Sequence, residues 1–355
     1  MGDTMFHRRE PREPRRGEVV RVRSREEILA TLDAEGRLDE LPFMPEMLEF
    51  CGRQLTVAAR ADKSCDTINW TGHRRMEHTV FLTGTRCSGA AHGGCEAGCN
   101  LFWREEWLEW PDRPGQPIQS VAGRPGAAVT VETLAKATRA PDDDTTFRCQ
   151  ATEHFRASAP MGRYGAGQYI HDVRIRNVSA WTVLRGILVF VFNRYQRLSN
   201  RILPRRLRIR GGLRYPFLQG TGSGARTAAS GLKPGDLVEV RSKEEILPTL
   251  APDNRNRGMS FDTEMLPYCG RRARVQRSVG RIINENTGKL MNVADCVVLE
   301  DVVCKGTYHR FCQRAITPYW REAWLRRVDE AAPPTAAPTV AGSADDSRLT
   351  SQTTR

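Results

Sequence analysis

Residues 17–32, GEVVRVRSREEILATL, recur at 235–250 as GDLVEVRSKEEILPTL, an offset of 218. The register continues from FMPEMLEFCGR (43–53) to FDTEMLPYCGR (261–271), and after one deletion WREEWL (103–108) meets WREAWL (320–325) at 217. Matching of this extent in one register means two copies of one folding unit, so whatever arrangement the first copy adopts must also satisfy the second. The chain then divides into a disordered tail (1–16), a first repeat (17–110), a linker (111–147), a basic helical middle segment (148–218), a short linker (219–234), a second repeat (235–329) and a disordered tail (330–355).

Within each copy, GEVVRV and GDLVEV alternate apolar and polar residues, as a half-buried strand does. Ser24 and Ser242 precede an acidic pair and then Ile-Leu, the pattern of a helix N-cap with negative charge in the first turn. RQLTVAAR (53–60), HTVFLTG (78–84), RRARVQRS (271–278) and DCVVLED (295–301) read as further strands. Trp103/Trp107 and Trp320/Trp324, four apart, read as a closing helix packed on the sheet, with Glu105 and Glu322 on its wet side. The expected fold class is mixed α+β: two tandem small β-rich metal-binding repeats joined by a basic helical segment. A Gly-Asp-led first strand followed by short strands resembles the small SH3-like barrels, which implies that architecture for each repeat.

The chemistry-bearing residues survive in both copies. The first holds Cys51 and then Cys87-x4-His92-x2-Cys95; the second holds Cys269 and then Cys304-x4-His309-x2-Cys312. Three thiolates and an imidazole form a tetrahedral zinc set, with the close triplet wrapping the ion from a turn and the distant Cys arriving from another strand. The competing expectation is that Cys51 and Cys269 are small core residues. The first copy adds Cys65 and Cys99, with Cys149 soon after; Ile283 and Ile316 stand opposite the first two in the second copy. These surplus thiols are packing, extra ligands or reactive thiols; as ligands they suit a second metal ion or an iron–sulfur cluster, and the alternative to a binding or scaffold module is then a metalloenzyme or redox protein with its reactive site in the first copy. Cys149-x4-His154 repeats the spacing once more. His73, His78 and His171 carry no partner pattern and are expected at the surface.

Charge separates the middle from the ends. Counting Lys+Arg minus Asp+Glu, 17–110 gives 11 − 16 = −5, 235–329 gives 16 − 13 = +3, and 111–234 gives 20 − 7 = +13. In 180–198, Trp181, Leu184, Leu188, Val191, Tyr195 and Leu198 form one helical stripe, flanked by Arg185, Arg194 and Arg197, and 201–214 adds six more Arg. The expected partner is anionic, either nucleic acid or an anionic membrane surface, through 180–214; the plainer expectation is a buried helix bridging the copies. An N-terminus without an apolar stretch and the lack of a run of about 20 apolar residues predict a cytoplasmic chain without a membrane span, where thiols stay reduced. No Walker loop, G-x-G-x-x-G, H-E-x-x-H or G-x-S-x-G is present, which argues against the common nucleotide-dependent and hydrolase classes.

Overall fold

Alternation sets the first strand of each copy. In Val19–Val22, Val20 and Val22 are buried while Val19 faces out; Val238 and Val240 are buried in Leu237–Val240. Each strand runs into a capping box. Ser24 Oγ accepts from Glu27 N at 3.2 Å while Glu27 Oε2 accepts from Ser24 N at 2.9 Å, and Ser242 and Glu245 repeat the exchange.

The computed structural model describes residues 14–69, 71–110, 129–140, 143–162, 167–225 and 230–329 of a mixed helix-and-sheet chain. Five antiparallel strands form the first sheet, a half-barrel in the order Asn100–Arg104, Thr79–Arg86, Gln54–Arg60, Val19–Val22, Leu108–Glu109. The second sheet has the corresponding order, Trp320–Arg321, Cys296–Leu299, Arg272–Ser278, Leu237–Val240, Leu325–Arg327. Pairing partners correspond as well: Val20 lies opposite Leu55 and Val238 opposite Ala273, and Val22 opposite Leu108 and Val240 opposite Leu325.

The Trp-bearing segments are not helices. Asn100–Arg104 and Leu108–Glu109 are strands joined by one 3-10 turn, Glu105–Trp107, and the second copy repeats this at Trp320–Arg321, Glu322–Trp324 and Leu325–Arg327. A strand followed by a tight turn returns position i+4 to the same side, so the spacing mimics helical periodicity. Both Trp rings of each copy are buried, with Phe43 edge-on to Trp107 and Phe261 edge-on to Trp324, each at 5.1 Å. Glu105 and Glu322 are not solvated either. Glu105 stands 3.5 Å from Arg60 and 3.7 Å from His78, and the buried Glu322 accepts the amides of Ser230 and Gly231.

Part of the expected linker is ordered: Val131–Ala137 is a capped helix, and Arg139–Ala140 pairs with Asp143–Phe147. The tails at 1–13 and 330–355 and the linker residues 111–128 lie outside the described residues. In the middle segment the buried Lys63 and Asp172 form an ion pair that ties helix Gly167–Arg174 to the first copy.

The helix Ala180–Ile202 is not buried as a bridge. Its two buried side chains are polar, while its apolar stripe and its Arg side chains face out. Gln196 and Ser199 are buried, whereas Trp181 is 72% and Leu188 62% exposed, with Leu184, Val191, Tyr195, Leu198 and Ile202 also outward. The inward amides hold the following chain: Gln196 Nε2 donates to the carbonyls of Ile209 and Leu213, Asn193 Nδ2 to that of Tyr215 and Asn200 Nδ2 to that of Gly212. Arg205–Leu207 and Ile209–Gly212 are thereby laid against the helix. Among the described residues no helix is long and apolar enough to cross a membrane.

Two short hairpins cross between the copies. Ser64–Cys65 with His73–Arg75 reaches from the first copy onto the Cys loop of the second, and Arg281–Ile283 with Leu290–Asn292 reaches back. The contacts correspond position for position: Cys65 N donates to Cys312 Sγ at 3.1 Å and Ile283 N to Cys95 Sγ at 3.3 Å. Likewise Gln313 N donates to Lys63 O at 2.9 Å and Glu96 N to Arg281 O at 2.8 Å. The copies therefore meet through an approximate two-fold arrangement of loops.

Candidate metal centre

A glycine-dependent turn builds each site. After Cys87 the chain turns at Gly89, whose carbonyl accepts from His92 N at 3.2 Å and Gly94 N at 3.0 Å; after Cys304, Gly306 accepts from His309 N and Phe311 N. Both glycines have positive φ, and a Cβ would lie 1.9 Å from the Cys95 carbonyl oxygen at Gly89 and 2.2 Å from that of Cys312 at Gly306. A backbone hydrogen bond then fixes the Cys: Cys87 N donates to Cys99 O and Cys304 N to Ile316 O.

These turns bring together Glu46, Cys87 and His92 in the first copy and Glu264, Cys304 and His309 in the second, with one donor atom of each residue within 4.8 Å of the others. In the first copy Cys87 Sγ is 3.4 Å from His92 Nε2, while Glu46 Oε1 is 3.1 Å from the opposite ring nitrogen, Nδ1. Glu46 thus stands on the far side of the imidazole from the thiol, the usual place of a carboxylate behind a metal-ligating histidine. Burial alone would raise the Glu46 carboxyl, but His92 and the Ala91 amide hold it below its usual value. In the second copy His309 Nε2 is 3.2 Å from Asp262. Burial works against its charge, yet Asp262 and Cys304 push its pKa up to about 11.

Thiol, imidazole and carboxylate in this order also describe an activated nucleophile. Here burial raises the Cys87 thiol, followed in weight by Glu46 and the neighbouring thiols. An activated thiolate needs the opposite shift.

The four-residue sets expected from the repeat do not converge whole. Cys51 and Cys269 end the 3-10 helices Pro45–Phe50 and Thr263–Tyr268 and pack on the apolar cores. Burial pushes both thiols up, Cys269 to about 12, and their charged neighbours are Arg25 and Glu26 for one, Glu244 and Lys243 for the other. They occupy the inert core position, because the strand that follows each leads away from the turn. Cys95 turns toward Ile283 and Cys312 toward Cys65, whose sulfurs are 3.2 Å apart across the copies. His154 hydrogen-bonds Ser64 Oγ at 2.7 Å and does not join Cys149. Cys296 sits beside Arg321 and Met259. His73 is not at the surface: it is half-buried, with Nε2 2.7 Å from the His309 carbonyl oxygen.

Glu46, Glu264, Gly89 and Gly306 are the site residues that motif spacing misses. Their signal lies in the repeat: an acid kept inside PEML and TEML, and a glycine two residues after each Cys of the turn.

Cys87, Cys95, Cys99 and Cys149, with His92, line one cavity of about 540 Å³. Ile282, Ile283 and Glu285 of the second copy's hairpin close it, so neither copy forms it alone. Comparison with protein-family models, curated proteins and solved structures finds no match for this chain.

Proposed function

We propose that this chain is a metal-binding module of two tandem SH3-like barrels, each holding metal at a Cys–His pair, that docks on an anionic surface through its basic middle segment. The observation that carries the metal reading is the recurrence of Glu, Cys and His at corresponding positions, 46/264, 87/304 and 92/309, as a spatial group in both copies. Thiolate and an imidazole that yields its proton when metal binds suit zinc, with the carboxylate as third donor or as the group that orients the ring. The docking reading rests on Ala180–Ile202, whose exposed apolar stripe adjoins nine Arg and no acid across 180–214. An outward row of large aliphatic and aromatic side chains fits a lipid interface better than a phosphate backbone, which favours an anionic membrane surface over nucleic acid.

Metal bound at such a site supplies folding free energy, so ligand loss should cost metal and stability together. Protein purified without chelator should contain metal, and Cys304→Ser should lower both metal content and melting temperature. Wild-type protein that carries no metal under these conditions would end this reading.

A further inference from the structure

The two sites are not chemically equal. In the second copy Ile316 replaces Cys99, no thiol corresponds to Cys149, and Cys312 is engaged by Cys65. Beside the first copy's Cys–His pair, four cysteines line a single cavity from three separate segments: Cys87 just past strand Thr79–Arg86, Cys95 and Cys99 in the loop that follows, and Cys149 from the middle segment.

Their spread distinguishes one ion from several. Sulfurs sharing a tetrahedral zinc at ~2.3 Å stand roughly 3.8 Å apart. Among the described residues, the groups of three or more donor atoms within 4.8 Å of one another include none of Cys95, Cys99 and Cys149. Four thiols around about 540 Å³ are too widely set for one ion and suit a cluster in which several irons and inorganic sulfides fill the space between the ligands.

The surroundings match an anionic, thiolate-held cluster. Ile283 N donates to Cys95 Sγ at 3.3 Å, the kind of amide-to-sulfur bond that tunes such centres. Arg314, buried, donates to Cys65 O and Thr67 Oγ1 and is ion-paired with the cavity's Glu285 at 3.4 Å, so Arg86, which donates to Gly98 O and Ala315 O, is the cation set beside the loop that carries Cys99 without a carboxylate partner among these contacts. Phe102, Ile282 and Ile316 supply an apolar wall that limits water.

We infer that the first copy holds an iron–sulfur cluster on Cys87, Cys95, Cys99 and Cys149, roofed by the hairpin of the second copy, while the second copy holds a single ion at Cys304 and His309. This rests on the metal reading above and specifies its cofactor. His92, with Glu46 behind it, stands at the rim beside Cys87.

The test is full-length protein purified without oxygen and assayed for iron, acid-labile sulfide and zinc, with a visible absorption spectrum. Iron and sulfide in equal amounts are expected, with visible charge-transfer absorption, and both should fall to background in Cys99→Ser and in Cys149→Ser. Cys296→Ser, outside the cavity, should retain them, and metal at Cys304 should persist in all three variants. Zinc in the first copy without sulfide, or a sulfide content unchanged by Cys99→Ser, overturns the cluster and leaves the two-site metal reading standing. Absence of any metal overturns both. Should either serine variant fail to fold, the iron and sulfide content of the wild-type protein decides alone.

Discussion

Gly89 and Gly306 show how much of a candidate metal site can rest on a residue that offers no ligand. Each holds a left-handed turn where a side chain would meet the backbone carbonyl of the third Cys. For Gly306→Ala, the left-handed backbone alone costs roughly 1–3 kcal/mol. The overlap with Cys312 adds to that, so the variant should lose metal at Cys304 and His309 with every ligand still present. Metal analysis beside a melting curve checks this; full metal retention would show that the turn is not what holds the pair. His154 makes a second residue-scale prediction. Burial, then the charges of Arg314 and Arg74, depress its pKa from 6.5 to about 3. Below pH 6.5 the unfolded chain takes up a proton that the folded imidazole refuses, so stability is complete above 6.5 and is lost as the pH falls toward 3. His154→Gln should flatten the fall of melting temperature across that window, and an unchanged slope would place the acid sensitivity elsewhere.

At the scale of elements, helix Ala180–Ile202 exposes its apolar stripe together with its Arg side chains and buries only Gln196 and Ser199. Its inward amides spend their hydrogen bonds on the carbonyls of 209–215, which fixes that Arg-rich chain beside the helix. Gly186 lets the helix lie close to the second copy's Cys loop, since a Cβ there would lie 2.5 Å from the ring of Phe311. The apolar stripe is consequently left uncovered among the described residues. Leu188→Glu with Val191→Glu should abolish flotation with vesicles containing anionic lipid while leaving melting temperature within about 0.5 kcal/mol equivalent, because exposed positions contribute little to folding. Reversing Arg205, Arg206, Arg208 and Arg210 should weaken the same binding in a salt-dependent manner. Binding to nucleic acid that survives the glutamate pair but not the charge reversal would move the partner from membrane to nucleic acid.

At the scale of the molecule, the crossing hairpins make each copy part of the other's site. Ile283, from the second copy, is buried against Cys95 and gives it an amide; Cys65, from the first, does the same for Cys312. Ile283→Asp would place an unpaired carboxylate in this contact, with a cost of several kcal/mol if it ionises there. Metal in the first copy should fall although every first-copy residue is intact, and metal at Cys304 should remain. Equal retention at both sites would mean that the copies work independently.

The sequence by itself determined everything that depends on local pattern or on repetition: two copies, the start and cap of each, the strands around 53–60 and 271–278, Cys87 with His92 and Cys304 with His309, and a single apolar stripe on the middle helix. Local geometry is short-ranged, and a pattern that recurs 218 residues later leaves little else for it to mean. Three matters were decided only by the tertiary structure. A period of four cannot separate a helix from a strand and a tight turn, so the Trp segments took the wrong element. A stripe states that one face is apolar but not which way it points, so the middle helix could be read as buried. Spacing also says nothing of partners two hundred residues away, and so the repeat could name Cys95 and Cys312 but not reveal that hairpins of the opposite copy receive them. The same limit left Cys149 a lone match in the sequence, although folding lines it up with Cys87, Cys95 and Cys99 around one cavity.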